Sequence, residues 1–164
     1  MKTFKTLLYL FLVPAFVFAG SAESFSQPKN PQVKKEQAKR VLRRTAAVII
    51  IAHKKVKEGH VYTGNLARAI AHQKFARRLY REGKYFRAIH QSRRAKFLAV
   101  LAIKANKGAQ TSEMNYSKED ESAMKKGPSD EDLDKEVLKE MPNEPAKDED
   151  VINAEPDVDL AGDE

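Results

Sequence analysis

The chain has 164 residues, 41% of them hydrophobic and 32% charged, with no cysteine, no tryptophan and a formal net charge of +7. The absence of cysteine excludes disulfides and thiolate metal sites, so whatever folds must do so by packing alone. The modest net charge hides a dipole. Gln27 to Lys107 holds 22 Lys/Arg against Glu36, Glu58 and Glu82, a balance of +19, whereas Gly108 to Glu164 holds six Lys against 19 Asp/Glu, a balance of −13.

Residues 1–26 read as a secretory signal. Lys2 and Lys5 precede an apolar run from Leu7 to Phe18, and small residues follow it at once, with cleavage after Ala22 or after Ser26. The only later apolar run, Ala46 to Ala52, is too short to span a bilayer. The mature chain is therefore expected to be exported, periplasmic or secreted, without stable membrane insertion.

Residues 27–107 form the expected basic helical domain, an all-α bundle of three helices at about 31–58, 64–82 and 85–106. In the first, Val41, Leu42, Thr45, Val48, Ile49, Ala52 and Val56 recur at three- and four-residue intervals, the spacing of a helix packed on one side, with Gly59 as its stop. The second starts after Thr63-Gly64-Asn65, where Thr63 or Asn65 is positioned to cap, and carries Leu66, Ala69, Ile70, Phe75, Ala76, Leu79 and Tyr80 on its apolar face. Gly83 ends it. In the third, Ala88, Ser92, Ala95, Ala99 and Ala102 make a seam of small residues that lets a neighbour approach closely, while Phe86, Phe97, Leu98 and Leu101 lie away from it. Two packed sides place this helix between the other two, or against a second copy in a homodimer.

Phe75 and Ala76, the Gly83-Lys84-Tyr85 turn, and Ala88 and Ala95 together resemble a single tetratricopeptide repeat over Ala69 to Val100. The resemblance implies a helical hairpin used to bind proteins or peptides. His72, Ser92 and Val100 stand where that family has an aromatic, a bulky residue and a proline, and no second copy of the pattern occurs. An ordinary antiparallel hairpin with a glycine turn accounts for the same residues.

Two further patterns lie in the basic block. His53, His72 and His90 each follow an isoleucine by one or two positions, one per helix, and a shared level in the bundle would make them candidate ligands for zinc or copper. The pairs Arg43-Arg44, Arg77-Arg78 and Arg93-Arg94 are candidate contacts for a polyanion such as nucleic acid, lipopolysaccharide phosphate or an anionic membrane surface, or for a protein partner.

Beyond Lys107 the sequence is rich in Asp, Glu, Ser, Asn and Pro and cannot bury enough apolar surface to fold alone, so an acidic disordered tail is expected over 108–164. One short helix is expected at 129–141, capped by Ser129, stopped by Pro142 and striped with Leu133, Val137, Leu138 and Met141. That stripe is suited to dock on the chain's own basic core, as are Val151-Ile152, Val158 and Leu160. The basic block holds three carboxylates, no phosphate-binding glycine loop and no nucleophile elbow, a poor supply for catalysis and one that calls for no cofactor. The leading expectation is a non-enzymatic binding module for protein or peptide. A polyanion binder masked by its tail is the rival, and a histidine metal-handling protein the third reading.

Overall fold

The computed structural model describes residues 31–160; the signal segment, with both candidate cleavage points, lies outside them. Helices α1 (Pro31–Gly59), α2 (Asn65–Arg81) and α3 (Tyr85–Ala105) occupy the basic block, within one or two residues of their expected bounds. Beyond them come a 3-10 turn (Ser112–Met114), α4 (Lys118–Lys126), α5 (Asp130–Glu140) and the single turn α6 (Asp148–Val151). The protein is all-α, with no strand among the described residues, and no described helix is long and apolar enough to cross a membrane.

Hydrogen bonds between helices fix an up-down-up bundle. Ser92 Oγ donates to Gln73 Oε1 at 2.9 Å and Tyr80 packs on Tyr85, so α2 and α3 run antiparallel about the Gly83 turn. Thr45 Oγ1 donates to the Ser92 carbonyl, while Asn106 Nδ2 and Oδ1 clamp the Val61 backbone, so α1 and α3 run parallel with both ends in register. The small seam of α3 is buried throughout, at Ala88, Ser92, Ala95, Ala99 and Ala102, and α3 packs on both α1 and α2. Of its second apolar side, Leu98 is buried and Phe86, Phe97 and Leu101 are half-buried. The α1 positions Leu42, Thr45, Val48, Ile49, Ala52 and Val56 are buried as their spacing requires.

Two helix ends show why the chain turns where it does. Gly83, at φ 74°, closes α2 with Lys84 N–H donating to the Leu79 carbonyl and Gly83 N–H to Tyr80, the paired bonds that satisfy orphan carbonyls at a left-handed terminus. Gly59 serves differently. It is the last residue of α1, the left-handed position falls on His60, and a Cβ on Gly59 would stand 2.2 Å from Asn106 Oδ1, so glycine admits the Asn106 clamp.

The expectation of disorder beyond Lys107 is corrected over the described residues, which form the 3-10 turn and three helices and return to the bundle. This segment is poor in apolar residues, and the bundle supplies the apolar surface it packs against. Met114, Ile152 and Val158 join a cluster drawn from α1, α2 and α3, and Val137 and Leu160 join a second cluster around Leu42, Phe75 and Leu79.

Candidate functional site on the basic faces of α2 and α3

Once α2 and α3 turn their apolar stripes inward, their remaining faces carry closely spaced Arg, Lys, His and Gln. The acidic part of the chain lies across these faces and pairs with them. Arg94 grips Asp134 with two parallel bonds, Nε to Oδ1 at 2.9 Å and Nη2 to Oδ2 at 2.8 Å, and reaches Asp130 with Nη1 at 2.5 Å. Bidentate guanidinium pairs of this kind are the most directional of ion pairs. Arg68 Nη2 meets the same Asp134 at 2.5 Å, and Arg87 pairs with Glu136. Arg78 donates to Glu140 Oε2 at 2.8 Å and to the Glu140 carbonyl at 3.2 Å. Lys74 takes Glu144 at 2.8 Å.

Beneath these pairs lie two buried polar side chains. His72 Nδ1 is 2.6 Å from Gln91 Oε1 and its Nε2 is 3.0 Å from Asp134 Oδ1, while Gln91 Nε2 donates to Glu136 Oε2 at 2.6 Å. Burial pulls His72 below the ordinary imidazole range, against the opposing pull of Gln91 and Asp134. Burial also pushes the Asp134 carboxyl up, but the hydrogen bonds and charge of Arg94, with Arg68 and His72, more than offset it and hold Asp134 below the usual carboxylate range.

The expected apolar stripe is placed unevenly. Leu133 and Val137 are buried and Met141 half-buried, but Leu138 is 73% exposed, because α5 turns Leu133 and Val137 inward and position 138 stands about 100° round the helix from Val137. Ser129 caps α5 by accepting from Asp132 N–H, and the helix ends one residue before Met141, as Pro142 requires.

The three arginine pairs fare differently. Arg77 and Arg93 are buried, Arg77 Nη1 donating to Asp157 Oδ1 at 2.6 Å and Arg93 Nε to Asp120 Oδ1 at 2.9 Å. Arg78 and Arg94 meet α5 as above. Arg43 and Arg44 stay exposed on α1.

The histidines are not gathered. Gln73 Nε2 donates to the Leu42 carbonyl, so His72 is level with the stretch of α1 around residue 43, roughly 15 Å along the helix axis from His53. Equal sequence intervals do not give equal heights when successive helices reverse. His90 is buried against Phe86, its Nε2 has no hydrogen-bond partner, and burial with Arg93 and Lys34 lowers it to about 4. No group of three or more His, Asp or Glu able to hold a metal occurs among the described residues.

Asp148 escaped the sequence reading. Its carboxylate is fully buried at the start of α2 and accepts from Thr63 N–H at 2.8 Å, Gly64 N–H at 2.9 Å and Ala67 N–H at 2.9 Å. Thr63 Oγ1 accepts from Asn65 N–H at 3.4 Å, but the stronger cap of α2 is an acid from more than 80 positions on. No local pattern signals such a contact. Gln73 and Gln91, by contrast, could have been found as polar residues interrupting apolar helical spacing.

The chain matches no family model, no curated protein and no solved structure. The tetratricopeptide resemblance of 69–100 gains no support there, and the observed hairpin is accounted for by the Gly83 turn and the small seam of α3.

Proposed function

We propose that this protein is an exported, non-enzymatic binding module for protein or peptide partners, whose acidic C-terminal part shields the basic face of its helical core. The observation that carries this reading is the row of carboxylates seated on that face: Asp134 on Arg68 and Arg94, Glu136 on Arg87, and Glu140 on Arg78. A face that accepts an acidic amphipathic helix from its own chain has the chemistry to accept one from elsewhere.

The second reading, a polyanion binder masked by the tail, is favoured by α1, where Lys35, Arg40, Arg43, Arg44, Lys54 and Lys57 are all exposed.

Both are tested by titrating labelled heparin across a salt series into the full chain and into a chain carrying Asp130→Asn, Asp134→Asn, Glu136→Gln and Glu140→Gln. Substitution serves better than truncation, which would also remove Asp148 from the start of α2. Shielding predicts tighter heparin binding by the neutralised chain. A gain that persists at physiological salt moves the polyanion reading to first place, a gain confined to low salt leaves the protein-binding reading ahead, and no gain at any salt ends the shielding account.

A further inference from the structure

The occupant of the basic face does not fill its seat. Helix α5 lies between two clefts, one on each side. The first, of about 310 Å³, is lined by Phe86, Arg87 and His90 of α3 and by Pro128, Leu133 and Glu136. The second, of about 330 Å³, is lined by Arg68, Ala71 and His72 of α2 and by Val137, Leu138 and Met141. Each is at the small end of the ~300–1,000 Å³ range of ligand pockets, and each has apolar walls with charged rims.

The helix is also marginal in isolation, so its order depends on the face it covers. Its 11 residues are fewer than the ~12–15 below which an isolated helix is marginal in water. Gly127-Pro128 precedes it and Pro142 and Pro145 follow, so both flanks are punctuated by residues that break helix. The segments on either side are fixed independently, α4 through Asp120 on Arg93 and the later chain through Asp148 on α2.

Resting on the binding-module reading, we propose that the α2–α3 face under α5 is an interaction surface for an acidic amphipathic helix of a partner protein, and that α5 is its internal competitor. The required pattern can be read from the occupant. Acids at relative positions 1, 5, 7 and 11 correspond to Asp130, Asp134, Glu136 and Glu140, each on a basic or amide group of the core. Apolar residues at 4, 8 and 12 correspond to Leu133, Val137 and Met141. The clefts favour bulkier side chains at 4 and 8 than α5 supplies, which gives an external helix the means to outcompete a tethered one. A competitor held in place lowers the apparent affinity of a partner by the fraction of molecules in which the seat is open.

The test uses a fluorescent peptide of residues 129–141 carrying Leu133→Phe and Val137→Leu, titrated into the full chain and into the full chain with Leu133→Ala and Val137→Ala. The peptide is expected to bind the substituted chain about ten-fold or more tightly than the unsubstituted one. Binding should fall sharply when Asp134→Asn and Glu136→Gln are added to the peptide. Should the alanine pair loosen the fold, as thermal unfolding would reveal, a chain with Glu136→Gln and Glu140→Gln is the second host, with the same ordering expected. Equal binding to all hosts, indifference to the acids at 134 and 136, or no binding to any host overturns the proposal. A neutralised chain that gains heparin binding but ignores the peptide removes this inference while leaving the shielding reading intact.

Discussion

Two parts of the acidic region touch the same core in different ways. The strap formed by residues 148–160 enters it: Asp148, Ile152, Val158 and Leu160 are buried, Asp148 caps α2, and the Val158 carbonyl lies 3.4 Å from Gln73 Nε2. Helix α5 lies on it, with Leu133 and Val137 buried but Leu138 out, and with partly exposed Arg68, Arg78 and Arg87 among its partners. Charge complementarity is common to both, so charge alone does not decide which segment is structural. The amount buried decides it: the strap buries three apolar side chains and a carboxylate against two apolar side chains of α5, and burial of apolar groups contributes more than exposed ion pairs, typically worth ~0–1 kcal/mol each.

This contrast can be broken most forcefully at the strap. Asp148→Ala strips the partner from three backbone N–H groups at the start of α2 and is expected to cost about 2 to 3 kcal/mol, seen as a fall in Tm on the order of 10 °C. Leu160→Ala should cost about 2 kcal/mol or more by the same measurement, since it opens a hole beside Phe75 and Leu79. On α5, Leu133→Ala is expected to cost less, about 1 to 2 kcal/mol, with the helical signal of α1 to α3 retained in circular dichroism. Leu138→Ala and Glu140→Gln should each change stability by no more than about 0.5 kcal/mol. Should these two prove as costly as Asp148→Ala, α5 is as structural as the strap.

Acid sharpens the comparison from another side. His72 and His90 are held below the free imidazole range, so the unfolded chain binds more protons than the folded one and stability falls as pH falls from about 6.5, for His90 down to about 4. Asp120 and Asp134 are held below the usual carboxylate range, and their contribution is lost only at pH below about 3.8. Denaturant unfolding across pH should therefore decline in two stages, the first flattened by His90→Gln and the second by Asp134→Asn.

The three-helix core was legible because its determinants are local. Apolar spacing located the stripes of α1 and α2, the alanine seam of α3 is buried at every position read from it, and Gly83, Ser129 and Pro142 set helix ends where their backbone chemistry dictates. The tail was legible only in pieces: the helix behind Ser129 and the docking residues Leu133, Val137, Ile152, Val158 and Leu160 could be read, but the order of the segment around them could not. Its composition is that of chain unable to fold alone, and its order depends on a surface made elsewhere in the sequence. The same holds for Arg77 and Arg93, candidates for a polyanion or partner contact that are instead buried beside Asp157 and Asp120. The histidine periodicity misled because sequence interval ignores helix direction.

Amide hydrogen exchange on the intact chain tests the central claim most directly, by comparing the α5 amides with those of Thr63, Gly64 and Ala67 that donate to Asp148. Faster exchange across 130–140, through an opening that leaves the Asp148-bound amides protected, is the predicted result. Identical protection of the two sets, lost together only on global unfolding, would contradict a displaceable α5 over a fixed strap.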